Sequence, residues 1–441
     1  MKKEEKKLFW FGLLALAGTL LVSFVPTRFH IFSYGFREVD FVSDIKKPSA
    51  PGDQPSIVKD STPVLVDTTK PDFLAYKDII NYQYGNNQPI EKFIRALRQL
   101  KLGKRKTVRI AYFGDSFIEG DMLTMDLRSL LQTNFGGEGV GFVPFMSVGA
   151  GIRQSITHTF SHNWDDLNFK GEGDKSRVFI SGHNYAAQQN ANVSYRVPDR
   201  LMPGTFKKVY LLHQSPEGAH VSINDSSVQL PAAAVVTKTL VDTAVDHLRA
   251  SFYPGNSTFY GFSFESDAGV ILDNFSFRGI SGTEYEKFST GYLSEINEVT
   301  PYDLIVFQFG PNLLFNPDMT NFKYYEKPIA KAFQQFNSAF PQADILLVST
   351  GDKAFRYDGS YKTAKGVIPL LNNQQQIAVA SGVNFWNLFL NMGGENSMVT
   401  WVEGSPKMAN VDYTHVNWKG GKKIAEMLYN TIMHAYQTNR Q

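Results

Sequence analysis

Apolar and polar positions follow two rhythms along this chain. Val108 to Phe113 is a short β-branched and aromatic run closed by Gly114-Asp115-Ser116, which predicts a buried strand ending in a tight turn. Leu123 to Leu131 then has helical spacing. After residue 300 the same alternation of strand and helix returns. The segments are Leu304 to Phe309, Lys323 to Asn337, Asp344 to Ser349, Ala364 to Ser381 and Val383 to Trp386, with a last helix-like run from Lys422 to Tyr436. Such alternation predicts a parallel sheet flanked by helices, with ligands at the carboxyl ends of its strands.

The second rhythm has period two. Arg177 to Ile180, Val193 to Val197, Lys208 to Leu212, His220 to Ile223, Thr237 to Val241, Leu248 to Tyr253, Thr258 to Phe264 and Val270 to Leu272 are short runs separated by Gly, Asn, Pro and Asp. Many short strands at that spacing predict a β-sandwich. The expected organisation is an α/β domain over residues 73–155 and 277–441, interrupted by a β-rich insert over 156–276.

The amino-terminal pattern differs again. Lys2, Lys3, Lys6 and Lys7 precede the uncharged run Leu8 to Val25. That run approaches the length that crosses a bilayer, about 17–25 residues, and the basic residues before it would stay cytoplasmic. Residues 1–27 are expected to be a membrane anchor, with a cleaved signal segment as the alternative. Residues 28–72 are expected to be an extended linker, since Ile45 to Asp72 is rich in Pro, Ser, Thr, Asp and Lys and has little periodicity.

Composition narrows the function classes. The 441 residues have room for roughly two or three domains. A net charge of +2, with no basic cluster interleaved with aromatics in the folded part, argues against a nucleic-acid binder. There is no cysteine, so disulfides and thiolate metal sites are excluded. His158 and His162 are four apart but lack the acidic residue of a metalloprotease motif. No metal is expected.

The chemistry resides at strand ends. A serine at a strand-to-helix junction has its hydroxyl at the sheet's carboxyl edge and its N–H where negative charge is favoured. Gly, Asp and Ser are also ordinary turn formers, so Gly114-Asp115-Ser116 alone specifies only a turn. Far along the chain, Asp412 stands three residues before His415. Serine acyl transfer needs a base, and an acid to hold that base in one tautomer. Asp412 could face one ring nitrogen of His415 and leave the other for Ser116. Asn312, at the end of the strand Leu304 to Phe309, could donate to a developing oxyanion. Glycines at 279 and 282 could bring a backbone N–H close to substrate.

Gly114-Asp115-Ser116, Gly279, Gly310-Pro311-Asn312 and Asp412-x-x-His415 together resemble the SGNH (GDSL-type) hydrolases, whose four blocks carry Ser, Gly, Asn and His in this order. The stretch Phe135 to Pro144 and the long insertion after it are similar to the bacterial peptidoglycan O-acetylesterase branch, in which a carbohydrate-binding-like module interrupts the hydrolase. Pro311 and Arg278 depart from the usual pattern. The resemblance implies an SGNH-type three-layer α/β fold with a parallel sheet, an inserted β-sandwich, and no metal or organic cofactor. It implies that Ser116 is the nucleophile, His415 the general base and then acid, and Asp412 its orienting carboxylate. The N–H groups of Ser116 and Gly279 and the Asn312 side chain would form the oxyanion hole, with Gly282 the alternative to Gly279. Asp115 would be structural. The implied substrate is an acetylated cell-envelope glycan, peptidoglycan first, and the implied location is the periplasmic side of the inner membrane. An O-acetyltransferase with the same acyl-serine is a second reading. A third is an inactive glycan-binding scaffold, which would have no chemical need for Ser116, Asp412 and His415 together. The α/β-hydrolase elbow Gly-x-Ser-x-Gly does not occur.

Overall fold

The computed structural model describes residues 75–83, 88–198 and 205–438, together with a two-stranded pair, His30–Ile31 with Tyr34–Gly35. That pair belongs to one compact unit, Met1–Pro63, and the rest to a second, Val64–Gln441. The anchor expected at residues 1–27 lies outside the described residues, and so does nearly all of the expected linker. Among the described residues no helix is long and apolar enough to cross a membrane.

The second unit is built on a mixed sheet with the order Gly269–Ser276, Thr107–Gly114, Leu304–Gln308, Asp344–Val348, Asn384–Trp386 and Ile80–Asn81. Its strands run parallel except for the edge strand Ile80–Asn81. The apolar run Val108 to Phe113 explains why helices cover both faces. Val108, Ile110 and Tyr112 point into a cluster with the helices Glu91–Lys101, Thr124–Phe135 and Trp418–Thr438. Ala111 and Phe113 point the other way, toward Thr290–Val299, Lys323–Ala339 and Val367–Ser381. Phe113 lies at the centre of that second cluster. Its ring centroid is 5.0 Å from those of Phe275, Phe307 and Tyr285 and 5.5 Å from that of Phe336. Truncating such a residue to alanine costs about 3–5 kcal/mol.

Two antiparallel sheets occupy the middle of the chain. One has the order Ala233–Val245, Phe206–Ser215, Thr258–Glu265, His183–Ala187 and Trp164–Asn168, and Gly141–Pro144 also pairs with Thr258–Glu265. The other has the order Ser226–Leu230, Ala219–Ile223, His247–Phe252, Ala191–Arg196 and Thr157–Phe160. Alternate residues of both, including Val209, Phe262, Tyr195 and Leu248, share one apolar cluster.

The boundaries differ from those read in the sequence. Gly269–Ser276, expected at the end of the insert, pairs in parallel with Thr107–Gly114 and forms the edge of the α/β sheet. It is buried along almost its whole length. An apolar run of that kind looks the same whether it closes one sheet or opens another. Gly141–Pro144, expected in the α/β domain, instead pairs antiparallel with Thr258–Glu265. Arg177 to Ile180 is not a strand. It is a turn that drives Val178, Phe179 and Ile180 into the cluster beneath the α/β sheet.

A buried ionic group joins the two parts. Arg109, on the first parallel strand, reaches Asp273 through Nε (2.7 Å), Glu265 through Nη1 (2.7 Å) and Ser263 through Nη2 (3.0 Å). Burial would push the Glu265 carboxyl up, but Arg109, Lys238 and the Ser263 hydroxyl outweigh it and hold it at about 2. Asp273 also accepts from the Phe142 N–H at 2.8 Å and the Tyr302 hydroxyl at 2.9 Å.

Candidate active site

The strand Thr107–Gly114 ends in a turn with no room for a side chain at its hinge. A Cβ on Gly114 would lie 2.8 Å from Cγ1 of Ile118 and 3.1 Å from the Gln308 carbonyl oxygen. Asp115 is fully buried beneath that turn. Its Oδ1 accepts the Phe117 N–H at 2.8 Å, and its Oδ2 accepts from Asn312 Nδ2 at 3.0 Å. Burial pushes Asp115 up to about 6, and these hydrogen bonds only partly oppose it. The expected structural role for Asp115 matches this arrangement.

Ser116 follows, half-buried, and its Oγ lies 2.9 Å from Nε2 of His415, across 299 positions of chain. Nδ1 of His415 is 2.7 Å from Asp412 Oδ2. The other Asp412 oxygen accepts the backbone N–H groups of Thr414 and His415, each at 3.0 Å. Burial would raise the Asp412 pKa, but the bonds from His415 and Thr414 outweigh it and bring it to about 2. An ionised Asp412 takes the Nδ1–H tautomer and leaves the Nε2 lone pair facing the serine hydroxyl. The turn is tied down from outside. Tyr413 has a left-handed φ of 53°, its ring stacks on Tyr361 at 3.6 Å, and its carbonyl accepts the Ala354 N–H at 3.0 Å.

The oxyanion candidates sit on neighbouring loops. Asn312 Nδ2 donates to Asp115 and also to the Ile280 carbonyl at 2.8 Å, so both of its hydrogens are engaged. The loop between the two candidate glycines is thereby held to the serine turn. Gly282 donates its N–H to Glu284 at 3.0 Å and packs against Phe309. Gly279, at φ 77°, makes no such bond: among the described residues nothing accepts its N–H, nor that of Ser116. Beside it, Arg278 pairs with the buried Glu119, which directly follows the serine turn.

Lys353 was not singled out from the sequence. It is buried, and its Nζ donates to the carbonyls of Pro311 and Leu314, on either side of Asn312. The one sequence signal was its place just beyond the carboxyl end of a parallel strand. Among the described residues no group of three or more His, Asp or Glu is arranged to hold a metal ion. The arrangement can deprotonate a serine hydroxyl as it attacks a carbonyl carbon, with an imidazole taking the proton.

No protein-family model matches the sequence, and no curated protein matches it. Solved structures do. One, described as a peptidoglycan O-acetylesterase in action, is similar with a TM-score of 0.68 at 19% identity, over 82% of this chain and 99% of that one. A family two carbohydrate esterase from Cellvibrio japonicus matches over 64% of this chain and 98% of its own, at 10% identity and a TM-score of 0.27. Est24, a carbohydrate acetylesterase from Sinorhizobium meliloti, matches over 37% and 79%, at 13% identity and a TM-score of 0.27. The first of these shows a shared fold over most of the second unit.

Proposed function

We propose that this chain is a serine esterase of SGNH type that removes O-acetyl groups from a cell-envelope glycan, with peptidoglycan as its substrate. The observation that carries the proposal is the continuous line from Asp412 through His415 to Ser116, just past the carboxyl end of the strand Thr107–Gly114. The fold shared with a peptidoglycan O-acetylesterase supports the substrate.

In the proposed reaction, Ser116 Oγ attacks the acetyl carbonyl while its proton passes to His415 Nε2. The carbonyl oxygen becomes an oxyanion facing the N–H groups of Ser116 and Gly279. Asn312 joins them by exchanging its contact to Ile280 for the oxyanion. His415 then returns the proton to the departing sugar oxygen as the carbon–oxygen bond breaks, leaving acetyl-Ser116. Water, deprotonated by the same imidazole, attacks that ester. Acetate leaves and Ser116 regains its proton. Asp412 stabilises the imidazolium formed in each half-reaction. The middle sheets would serve as a carbohydrate-binding-like β-sandwich. The amino-terminal segment would anchor the enzyme on the periplasmic side of the inner membrane.

The full-length protein, incubated with O-acetylated peptidoglycan, is expected to release free acetate matching the acetyl groups lost from the polymer. Acetate release no greater than that of Ser116→Ala would overturn the proposal. Acetyl groups recovered on an added oligosaccharide would mark transfer instead of hydrolysis.

A further inference from the structure

Lys353 sits where the two halves of the site meet. Its Nζ donates to the Leu314 carbonyl at 2.7 Å and the Pro311 carbonyl at 3.2 Å, and stands 5.0 Å from the centroid of the Phe355 ring. Its own side of the chain reaches the other loop: the next residue, Ala354, donates its N–H to the Tyr413 carbonyl at 3.0 Å. Tyr413 lies between Asp412 and His415. The carboxylates of Asp412 and Asp115 both act on the ammonium, opposing the effect of its burial. A lysine is seldom buried without a task, and here it satisfies two carbonyls of a Gly-Pro-Asn turn.

We propose that Lys353 is a positioning residue, whose ammonium fixes Pro311 and Leu314, and so Asn312, against the turn that carries Asp412 and His415. The proposal rests on the acyl-serine reading above. Lys353 touches no reacting atom. Its effect is to hold the oxyanion donor and the general base in one register, so its loss should act on turnover and leave ground-state binding alone.

Lys353→Met removes the ammonium and keeps the aliphatic stem. With an aryl acetate as substrate, kcat is expected to fall about 10–100-fold, the scale of a small misplacement of catalytic groups, with KM unchanged within about twofold. Amide hydrogen exchange should speed up at residues 312–314 and 413–415 and nowhere else. The chain has no cysteine, so Lys353→Cys can be aminoethylated selectively in denaturant and refolded. That treatment restores an ammonium of nearly the same reach, and turnover should return with it. A kcat within threefold of wild type, or a rise in KM alone, would overturn the proposal. If Lys353→Met does not fold, the unmodified and aminoethylated Cys variants decide the matter: equal turnover in the two would refute the role. If the wild type itself cleaves no ester, the acyl-serine reading fails. Hydrogen exchange at the two loops then tests Lys353 by itself.

Discussion

Asn312→Ala separates the chemistry of the site from its stability. The amide makes two contacts, to Asp115 Oδ2 at 3.0 Å and to the Ile280 carbonyl at 2.8 Å, and in the proposed mechanism it also faces the oxyanion. Losing one oxyanion donor typically lowers kcat by about 10²–10³. The stability effect has its own signature. A hydrogen bond to a charged group contributes about 1.5–3 kcal/mol. Spread over the unfolding entropy of the unit Val64–Gln441, that is a fall in Tm of roughly 2–4 °C.

The sign of the pH dependence follows from Asp115. Its folded pKa is pushed up to about 6 by burial, above an unfolded value of about 4. The native state therefore pays for the Asp115 charge in full above about pH 6, and that penalty fades as pH falls from 6 toward 4. Removing Asn312 takes away a donor to the carboxylate and pushes the pKa higher still. The Tm gap between wild type and variant should be wide at pH 8 and narrow at pH 5, measured by differential scanning calorimetry at both pH values. A gap that widens toward acid would refute the coupling between the two residues. A kcat within threefold of wild type, measured with an aryl acetate, would remove Asn312 from the oxyanion hole.

Arg109→Met takes away the one cation paired with Asp273 among the described residues and leaves Glu265 with Lys238 alone, in the buried seam between the mixed sheet and the antiparallel sheets. Breaking such a group costs about 3–5 kcal/mol, seen as a Tm lower by roughly 4–6 °C, and an unchanged Tm would show that the seam contributes nothing. Asp412→Asn leaves the geometry but takes away the charge that fixes the tautomer of His415. Turnover should fall by about 10⁴-fold, and a loss of less than tenfold would contradict the role of Asp412.

Much of this was legible in the sequence because the relevant signals are local. The strand Val108 to Phe113 and the helix after it follow from period and punctuation alone. Asp412 and His415 are close enough in sequence for one turn to hold both. What the sequence hid depends on long-range packing. Gly279 and Gly282 both have positive φ. Only the folded chain shows that the Gly282 N–H is taken up by Glu284 and that the Lys170 ammonium lies over Gly279. Gly269–Ser276 pairs into the parallel sheet, and burial on both faces removes the alternation that marks a half-exposed strand. A lysine in a sequence reads as surface, and nothing near Lys353 announces that Pro311 and Leu314 will need its protons.

The central claim is that the imidazole from the chain's tail turns the hydroxyl after the first parallel strand into a nucleophile. A serine-directed fluorophosphonate, followed by peptide mapping in a mass spectrometer, tests it without any assumption about the natural substrate. One adduct is expected, on Ser116, forming at least a hundredfold more slowly in His415→Gln. Labelling at another residue, or labelling of Ser116 at an undiminished rate in that variant, would contradict it.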